Sequence, residues 1–458
     1  MADNRAIFVY GAGISGQGVA EVLADQGEEV VLYNDTDVDL EPEWCTAFGA
    51  VGGLFMTEVD PTDELKRSKL MIISPGIPFT TDTVKKAREL GVEIIGEAEE
   101  ASRLYKGKWI GITGTNGKTT TTTLVGEMLD TLPVKTAVAG NIGRSLSKEV
   151  INLDADSYVA AELSSFQLEG VTTMRVNIAL IVNITPDHFE RHGNMENYIN
   201  AKANIFAHQQ PEDVLILNAD DANCVALAPR AKGRVVFFST QKQLDEGAYI
   251  EDGWFVLNLD GKKQRILQVS DMKIFGSHNE QNVLGALCCA YFAGVTPENM
   301  AKVLKNFQGV EHRLEYVTTI KGVPYYNDSK ATNTDSAVKA MEAFKDGHVI
   351  LLAGGHDKLT DLTEFMQVAA RQTDALILLG EARQRFYEAA VKNGVKNIYM
   401  IDGSFDDAVN KAASLAQPPE VVLLSPACSS YDMFDNYPQR GRYFKELVRK
   451  LEKQQENA

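Results

Sequence analysis

Short apolar runs alternate with amphipathic stretches along most of the chain, and most runs end at glycine or small polar residues. A short apolar run bounded by turn residues is typical of a buried strand, and a 3.6-residue periodicity is typical of a helix. The repeated strand–helix order predicts an α/β protein with parallel sheets. Strands are predicted at residues 7–10, 29–33, 70–73, 108–110, 136–139, 158–161, 178–184, 214–217, 323–326, 348–352, 375–379 and 421–424.

The pattern changes between residues 234 and 270, where apolar and polar residues alternate and Gly, Asp and Lys form turns. This predicts short antiparallel strands at one edge of a sheet. A polar stretch at 308–313 indicates a hinge, and the charged stretch 444–458 is predicted to be a helix that frays. A chain of 458 residues can hold about three domains. We place them at residues 1–97, 98–310 and 311–458.

The amino-acid composition limits the classes of molecule that the protein is expected to bind. The formal net charge is −18, which argues against general binding to nucleic acid or to an anionic membrane. The five cysteines form no CxxC pair, as expected for free thiols in a reducing cytoplasm. No apolar run reaches transmembrane length, and the first residues lack the anatomy of a signal peptide. We therefore expect a soluble, cytoplasmic protein without membrane insertion.

A glycine-rich turn, GITGTNGKTTTTT at 111–123, lies between a predicted strand and a predicted helix. Glycines allow backbone N–H groups to close around phosphate oxygens. Lys118 can reach terminal phosphates, and the Thr119 hydroxyl can bind Mg²⁺. The alternative is a polar turn that only caps the helix. The predicted ATP-binding residues of this loop are Gly114, Thr115, Asn116, Gly117, Lys118, Thr119 and Thr120.

A second glycine-rich turn, GAGISG at 11–16, follows the first predicted strand, and Asp35 follows the second. This order is typical of a dinucleotide site, although a single G-x-G-x-x-G match is weak. The strand at 70–73 also ends in small residues, Ser74 to Gly76. A dinucleotide and another diphosphate-bearing nucleotide both fit this chemistry. A third alternative is that the glycines only allow close packing of helix and strand.

Several chemically reactive side chains follow predicted strands or occupy a predicted helix in the middle of the chain. Glu162 ends an apolar strand, where a carboxylate could bind Mg²⁺ or could simply be exposed. His188 follows the strand at 178–184, and could bind a ligand or only cap the next helix. Lys202 lies among apolar residues of a predicted helix, and such lysines usually extend to water.

Polar residues also cluster further along the chain. Asn279 and Asn282 share a helix face and could bind a base or cap the helix. Three predicted strand ends after residue 320 carry small and polar residues. Arg313, Lys330 and Lys358 would bring positive charge to them, which favours an anionic ligand.

Together these motifs resemble the Mur ligase family of bacterial cell-wall synthesis. The resemblance rests on GTNGKTT, ELSS, NITPDHFERHG, the Lys202 helix, SHNEQN, EHR, NDSKATN and AGGHDK, which span nearly the whole chain in order. Within the family, GAGISG, NDSKATN and SPACSSYDMF look most like the members that add D-glutamate. The resemblance implies a Rossmann-like first domain that binds UDP, a central ATPase-type domain with a phosphate loop, and a Rossmann-like last domain that binds the amino acid.

The resemblance also implies roles for individual residues. Those facing the UDP-linked substrate would be Ile14, Ser15, Asp35, Thr36, Ser74, Gly76, Asn141 and His188. Beyond the phosphate loop, those facing ATP would be Asn279, Asn282, Arg313, Asp328 and Lys330. Those facing D-glutamate would be Thr332, Lys358, Ser430 and Tyr437, the last of which may be Phe in the family. Two Mg²⁺ ions would be bound by Thr119, Glu162, His188 and a carbamylated Lys202.

The implied reaction belongs to peptidoglycan precursor synthesis, and so to cell shape and division. ATP would phosphorylate the carboxylate of UDP-N-acetylmuramoyl-L-alanine, and the amine of D-glutamate would attack the acyl phosphate through a tetrahedral intermediate. Lys118, His188 and Lys202 would be the catalytic residues of an ADP-forming ligase, expected to act as a monomer. Two alternatives remain open: a related ligase that adds another amino acid or extends folate with glutamate, and a nucleotide-dependent switch.

Overall fold

A computed structural model describes residues 6–38, 40–274, 276–344 and 346–456, without the side chain of residue 456. It contains three sheets, mostly parallel, with helices between their strands, which confirms the predicted α/β class. The chain divides into two compact units. Unit 1 comprises Met1–Met272 and Glu280–Asn306, and unit 2 comprises Lys273–Asn279 and Phe307–Ala458.

The first sheet of unit 1 is parallel throughout, with the strand order β3-β2-β1-β4-β5. Apolar side chains from both faces of β1 are buried, which explains its continuous apolar sequence. The strands are β1 (Ala6–Tyr10), β2 (Val30–Asn34), β3 (Leu54–Thr57), β4 (Ser68–Ile73) and β5 (Glu93–Gly96). The helices are α1 (Ile14–Asp25), α2 (Pro42–Ala50), α3 (Thr62–Lys66), α4 (Asp82–Glu89) and α5 (Glu97–Leu104).

The second sheet has the order β14-β13-β12-β11-β10-β9-β6-β8-β7. Its strands are β6 (Lys108–Thr113), β7 (Thr136–Gly140), β8 (Tyr158–Glu162), β9 (Ile178–Ile181), β10 (Val214–Asn218), β11 (Arg234–Ser239), β12 (Gly247–Glu251), β13 (Trp254–Leu259) and β14 (Lys262–Gln268). The helices that follow these strands are α6 (Lys118–Leu129), α7 (Leu146–Val150), α8 (Ser165–Glu169), α9 (Phe189–His192), α10 (Met195–Ala203), α11 (Ala222–Val225), α12 (Ser277–Ala293) and α13 (Pro297–Asn306).

The prediction that residues 234–270 form antiparallel strands is wrong for the first of them. β10 pairs with β11, and β11 with β12, in parallel, and only the β12–β13 and β13–β14 pairs are antiparallel. The antiparallel pairs are those joined by Asp-Gly turns, at Asp252-Gly253 and Asp260-Gly261, where all four residues have positive φ. Such turns favour two-residue hairpins.

Unit 2 contains the third sheet, in the order β15-β16-β20-β17-β18-β19, where only β15 runs antiparallel to its neighbour. The strands are β15 (Glu315–Ile320), β16 (Val323–Asn327), β17 (Val349–Gly354), β18 (Thr373–Leu379), β19 (Ile398–Met400) and β20 (Val421–Leu424). The helices are α14 (Thr334–Glu342), α15 (Thr363–Gln372), α16 (Arg383–Lys392), α17 (Phe405–Leu415) and α18 (Tyr437–Glu456).

The last helix, α18, begins seven residues before the predicted start at 444. Phe444 and Val448 are buried in the core of the third sheet, so this part of the helix is packed. The end of the helix that is predicted to fray includes residues 457 and 458. These two residues lie outside the described residues. Within the described part of the chain, no helix is both long and apolar enough to cross a membrane.

Helix α5 follows the first sheet directly and is held against the second by buried carboxylates. Glu99 accepts hydrogen bonds at 2.9 Å from the backbone N–H groups of Thr172, Thr173 and Met174. Glu97 accepts from the backbone N–H of Ser147 at 2.9 Å. These bonds connect α5 to α7 and to the segment after α8, and both sheets belong to one compact unit.

Candidate active site

The glycine-rich loop joins the end of β6 to the start of α6. Its last residue, Gly117, has φ of +83°, a left-handed conformation that favours glycine. A Cβ atom at this position would lie 2.0 Å from Oδ1 of Asn282. Both the backbone angle and the close approach therefore require glycine at this position.

The loop is held by the segment that follows β9. The backbone N–H groups of Thr115 and Asn116 donate to the carbonyl and side-chain oxygens of Asn183, both at 2.9 Å. Thr115 Oγ1 lies 3.0 Å from the carbonyl oxygen of Thr185 and 3.1 Å from the hydroxyl of Tyr198. The predicted strand at 178–184 ends early, at Ile181, because its last residues hold this loop. Asn183 and Tyr198 therefore support the glycine-rich loop. This role is not predicted from the sequence, although the two residues lie in the NITPDHFERHG motif and in the Lys202 helix.

Two lysine amines meet at one backbone oxygen. The Nζ atoms of Lys118 and Lys202 donate to the carbonyl of Gly114, at 2.9 and 2.7 Å respectively. Lys118 also donates to the carbonyl of Thr115 at 2.9 Å. Lys202 is 1% exposed, and its Nζ lies 4.5 Å from the ring centroid of Tyr198. The alternative in which this lysine extends to water is therefore wrong.

This arrangement favours the neutral amine of Lys202. Burial and the nearby charge of Lys118 lower the pKa of Lys202 well below its usual value, and Asp187 partly opposes this. A neutral amine is a nucleophile, whereas an ammonium group is not. An amine that donates to a carbonyl does not itself bind a cation.

Glu162 lies at the end of β8 and is 1% exposed, so the alternative of an exposed acid is wrong. Its Oε1 accepts from Asn141 Nδ2 at 2.8 Å, and its carbonyl accepts from Asn141 N–H at 2.9 Å. Its other carboxylate oxygen, Oε2, is buried without a hydrogen-bond partner within the described chain. A buried carboxylate oxygen in this state suits a hard cation, and the hydroxyl of Thr119 at the start of α6 is the matching ligand type. The site therefore fits Mg²⁺.

His188 occupies the cap position of α9 with φ of +55°, and its side chain makes no capping hydrogen bond. Its ring packs against Phe166, with centroids 4.9 Å apart, and its centroid lies 6.4 Å from that of Tyr198. Nδ1 lies 3.3 Å from a carboxylate oxygen of Glu190. The ring is partly exposed beside the residues that surround Lys202.

The predicted UDP-facing residues around the first sheet follow the carboxyl ends of β1, β2 and β4. Ser74 Oγ donates to the carbonyl of Gly11 at 2.8 Å, which joins two of these ends. The next turn opens at Gly13, where a Cβ would meet nothing within 4 Å, and Ile14 is 65% exposed at the start of α1. An open helix N-terminus of this kind can receive a diphosphate.

Three further predicted UDP-facing residues, Asp35, Thr36 and Gly76, are exposed, and Ser15 of α1 is half-buried. Asp35, after β2, accepts a hydrogen bond from the buried hydroxyl of Tyr10. The carbonyl of Thr36 accepts from Asn34 Nδ2 at 2.9 Å, and Gly76 is exposed after β4. Sequence reasoning did not assign Tyr10, which lies inside the strand 7–10.

The two asparagines assigned to ATP lie in α12 and are both buried. Asn282 belongs to unit 1, where it contacts Gly117 of the phosphate loop. Asn279 is the last residue of the short segment Lys273–Asn279, which belongs to unit 2. Its N–H donates to the carbonyl of Gly276 at 2.9 Å.

In unit 2, Asp328 follows β16 and is fully buried. Its carboxylate oxygens accept from Leu314 N–H at 3.1 Å and from Ser425 Oγ at 2.8 Å. Burial raises the pKa of Asp328 to about 6, and the charge of Arg313 opposes this rise. Lys330, two residues further on, places its Nζ 5.6 Å from the ring centroid of Tyr437.

The residues assigned to D-glutamate lie on three strand-end loops of unit 2 and at the start of α18. The loops after β17 and β20 pair with each other, because His356 N–H donates to the carbonyl of Ser429 at 3.0 Å. This pairing brings the segments of Lys358 and Ser430 together. Lys358 is exposed, whereas Ser430 is buried. Thr332 follows Lys330 and is half-buried.

A buried arginine that sequence reasoning missed joins these loops. Arg440 of α18 donates to the hydroxyl and carbonyl of Ser329, both at 2.9 Å, and to the carbonyls of Cys428 and Ser429 at 3.1 and 3.2 Å. Burial lowers the pKa of Arg440 to about 10. The predicted helix at 444–458 excluded Arg440, so the pattern gave no sign of this role.

Three family models match the chain in order. Residues 5–96 match the Mur ligase MurD-like N-terminal domain, residues 112–290 the Mur ligase middle domain, and residues 312–428 the Mur ligase glutamate ligase domain. Known structures share the fold at low identity. A pseudomurein peptide ligase type C from Methanothermus fervidus matches with a TM-score of 0.62 and 18% identity, covering 98% of this chain and 100% of that one. A MurF ligase from Thermotoga maritima in complex with ADP matches with a TM-score of 0.60 and 16% identity, covering 98% and 99%.

Curated relatives are similar over nearly their whole length. A protein from Caldanaerobacter subterraneus subsp. tengcongensis is 40% identical over 450 residues, covering 98% of this chain and 99% of that protein. A protein from Desulfitobacterium hafniense (strain Y51) is 41% identical over 447 residues, covering 98% of both. Both are named UDP-N-acetylmuramoylalanine--D-glutamate ligase. The chain therefore belongs to the Mur ligase family.

Proposed function

We propose that the chain is an ATP-dependent, ADP-forming ligase that joins D-glutamate to UDP-N-acetylmuramoyl-L-alanine in peptidoglycan precursor synthesis. The names and near-complete coverage of its relatives support this substrate pair. The single structural observation that carries the proposal is the meeting of Lys118 and Lys202 at the carbonyl of Gly114. It concentrates positive charge and a buried amine beside a phosphate-type loop, as carboxylate activation by ATP requires.

We assign the three predicted domains to the three substrates. Residues 1–97 would bind the UDP part, at the open N-terminus of α1. Residues 98–310 would bind ATP, at the loop before α6. Residues 311–458 would bind D-glutamate, beside the paired loops after β17 and β20. We also propose that the protein acts in the cytoplasm, where ATP is available, and that it acts there as a monomer.

In the first chemical step, an oxygen of the substrate carboxylate would attack the γ-phosphorus of ATP, and ADP would leave. Lys118 would stabilise the negative charge on the transferred phosphoryl group. Mg²⁺ would supply further charge neutralisation, held by Glu162 and Thr119 and, as we propose, in a second site by His188 and modified Lys202. His188 and Asn141 would orient the substrate from the end of the second sheet.

Lys202 would take its role as a carbamate. Its neutral amine would attack the carbon of CO₂, forming an N–C bond and releasing one proton to solvent. The product is an anion with two oxygens, which can bind a cation where the amine cannot. The lowered pKa of Lys202 supports this step, because only the unprotonated amine reacts.

In the second step, the amine of D-glutamate would attack the acyl carbon, and phosphate would leave from the tetrahedral intermediate. Lys358, Thr332, Ser430 and Tyr437 would hold the carboxylates of D-glutamate. Asp328, Arg313 and Lys330 would contact the ribose and phosphates of ATP, with Asn279 and Asn282 near the base.

Phosphate release tests the proposal directly. We expect ADP and phosphate to form only when UDP-N-acetylmuramoyl-L-alanine and D-glutamate are both present, with a product heavier by one glutamyl residue in mass spectrometry. L-Glutamate, lysine and alanine are the matched controls. Turnover with another amino acid would favour a related ligase, and turnover that needs only a protein partner would favour a nucleotide-dependent switch.

A further inference from the structure

The carbonyl of His188 is held by the helix that follows it. The backbone N–H groups of Arg191 and His192 donate to this carbonyl, at 3.1 and 3.0 Å. His188 has a left-handed backbone, with φ of +55°, which is unfavourable for a residue with a Cβ atom. Such a conformation persists only where surrounding contacts hold it. The side chains of Arg191 and His192 show what those contacts are.

Both side chains bind the same carboxylate. Glu169, at the end of α8, accepts from Arg191 Nη2 at 2.7 Å through Oε2, and its Oε1 lies 3.2 Å from His192 Nδ1. His192 Nε2 lies 3.0 Å from the hydroxyl of Ser165, at the start of the same helix. A carboxylate can only accept, so Nδ1 of His192 carries the proton and Nε2 accepts from Ser165.

The same arginine reaches the first sheet. Arg191 Nη2 donates to the carbonyl of Ile77 at 3.1 Å. Ile77 directly follows Gly76, in the loop after β4 that we assign to the UDP-linked substrate. The guanidinium also lies 5.0 Å from the ring centroid of Phe166, and that ring packs against His188. The Arg191 side chain therefore contacts both the loop after β4 and the Phe166 ring that packs against His188.

We propose that Arg191, Glu169, His192 and Ser165 form a positioning network that fixes His188 and ties it to the loop after β4. The consequence rests on the proposed function: the network sets where the substrate carboxylate lies when its UDP end is bound. None of the four is a catalytic residue in this role. Their effect on the reaction passes through His188 and through the loop.

A Ser–His–carboxylate array can also activate a serine nucleophile. Here Ser165 is only 3% exposed, and its hydroxyl serves to orient His192. We therefore expect no covalent labelling of Ser165 by a fluorophosphonate probe, which reacts with activated serines. Labelling at this residue would overturn its assignment to the network.

Two variants test the network, Arg191→Lys and Glu169→Gln. Lysine keeps the charge but lacks the Nε–H group, which also donates to Glu169 at 3.2 Å. Glutamine has one acceptor oxygen, where glutamate offers two to Arg191 and His192. We expect kcat to fall about tenfold or more and KM for the UDP-linked substrate to rise, with KM for ATP within about twofold, since misplaced groups reduce reaction rate. Arg175→Lys is the matched control, because Arg175 is ion-paired with Asp213 in the same unit.

A nitrogen NMR measurement on histidine-labelled protein provides a readout that needs no turnover. We expect His192 in the wild type to carry its proton on Nδ1, and the ring signals of His188 to shift in Arg191→Lys and Glu169→Gln but not in Arg175→Lys. Unchanged His188 signals, or kinetic constants within about twofold of wild type in both variants, would overturn the proposal. Absence of product from the wild type would instead count against the proposed function, and the NMR result would still decide on the network.

Discussion

At the scale of single residues, the environment of Lys202 decides which chemistry is open to it. A backbone carbonyl binds its amine, a second amine lies beside it, and water is nearly excluded. These conditions favour the uncharged form. The sequence placed Lys202 on a helix among apolar residues, but it could not show that Gly114, 88 positions earlier, accepts its hydrogen bond.

The carbamate proposal leads to a rescue experiment. We expect Lys202→Ala to lose most of its ligase activity, because the anionic oxygens of the carbamate are missing. A small added carboxylate such as acetate should restore part of it. Lys232→Ala is the control, since Lys232 is exposed and its amine donates to the carbonyl of Ala207. Loss without rescue would leave the carbamate unsupported, and unchanged activity would remove Lys202 from the site.

Asp328 gives a pH dependence of stability with a definite sign. Its pKa is about 6 in the folded chain and about 3.9 in an unfolded one. Between these values the folded chain holds a proton that the unfolded chain lacks, so stability falls as the pH rises. Relative to D328N, the wild type should lose about 2 kcal/mol of unfolding free energy from pH 4 to pH 6. Asparagine can replace the protonated carboxyl, accepting from Leu314 and donating to Ser425.

Urea denaturation at several pH values measures this difference. The D402N variant serves as the control, because Asp402 is exposed and pairs with partly exposed Arg383 at the surface. Parallel stability curves for the wild type and D328N between pH 4 and pH 6 would contradict the assigned shift. At pH 6 the folded carboxyl is half ionised, so the two curves should become parallel only above about pH 7.

At the scale of elements, the apolar pattern predicted most of the fold. Twelve predicted strands correspond to strands of the three sheets, and that at 421–424 matches β20 in full. The pattern missed β3, β5, β15 and β19, which include short edge strands with partly exposed residues. Such strands bury too little apolar surface to produce a continuous apolar run. The roles of the site residues within these elements stay predictions, apart from the contacts that the structure describes.

The phosphate loop is sensitive to a single added methyl group. Gly117→Ala would add both a left-handed alanine and a clash with Asn282. We expect ATP affinity, measured by calorimetry, to fall more than tenfold, because the loop must shift. Gly91→Ala is the matched control. Gly91 also has positive φ, of +72°, but faces open space, so this variant should cost about 1 kcal/mol of stability and leave ATP binding intact.

At the scale of the whole molecule, the sequence predicted three segments but could not show which would be compact together. The structure groups the first two sheets in one unit and the third in another. The buried carboxylates of α5 contribute contacts to the first grouping. They accept from backbone groups far away in sequence, and no local pattern marks such an acceptor.

The Glu99→Ala variant tests the contribution of these hydrogen bonds to stability. Three backbone N–H groups would lose their buried acceptor, and each such loss costs about 1–3 kcal/mol. We therefore expect a loss of at least about 3 kcal/mol in unfolding free energy, measured by urea denaturation. Glu93→Ala is the control, because Glu93 pairs with Arg103 near the surface and should change stability by less than about 1 kcal/mol. Equal losses in the two variants would contradict this account.

The backbone carbonyl that accepts hydrogen bonds from both lysines has a consequence for drug resistance. The carbonyl of Gly114 belongs to the main chain, so no amino-acid substitution at that position removes the oxygen. An inhibitor that donates to this oxygen would therefore contact an atom that mutation can displace but cannot delete. Displacing it would also move both lysines on which we propose that catalysis depends. Bacteria that are grown under selection by such a compound should acquire substitutions outside this loop before they acquire any within it.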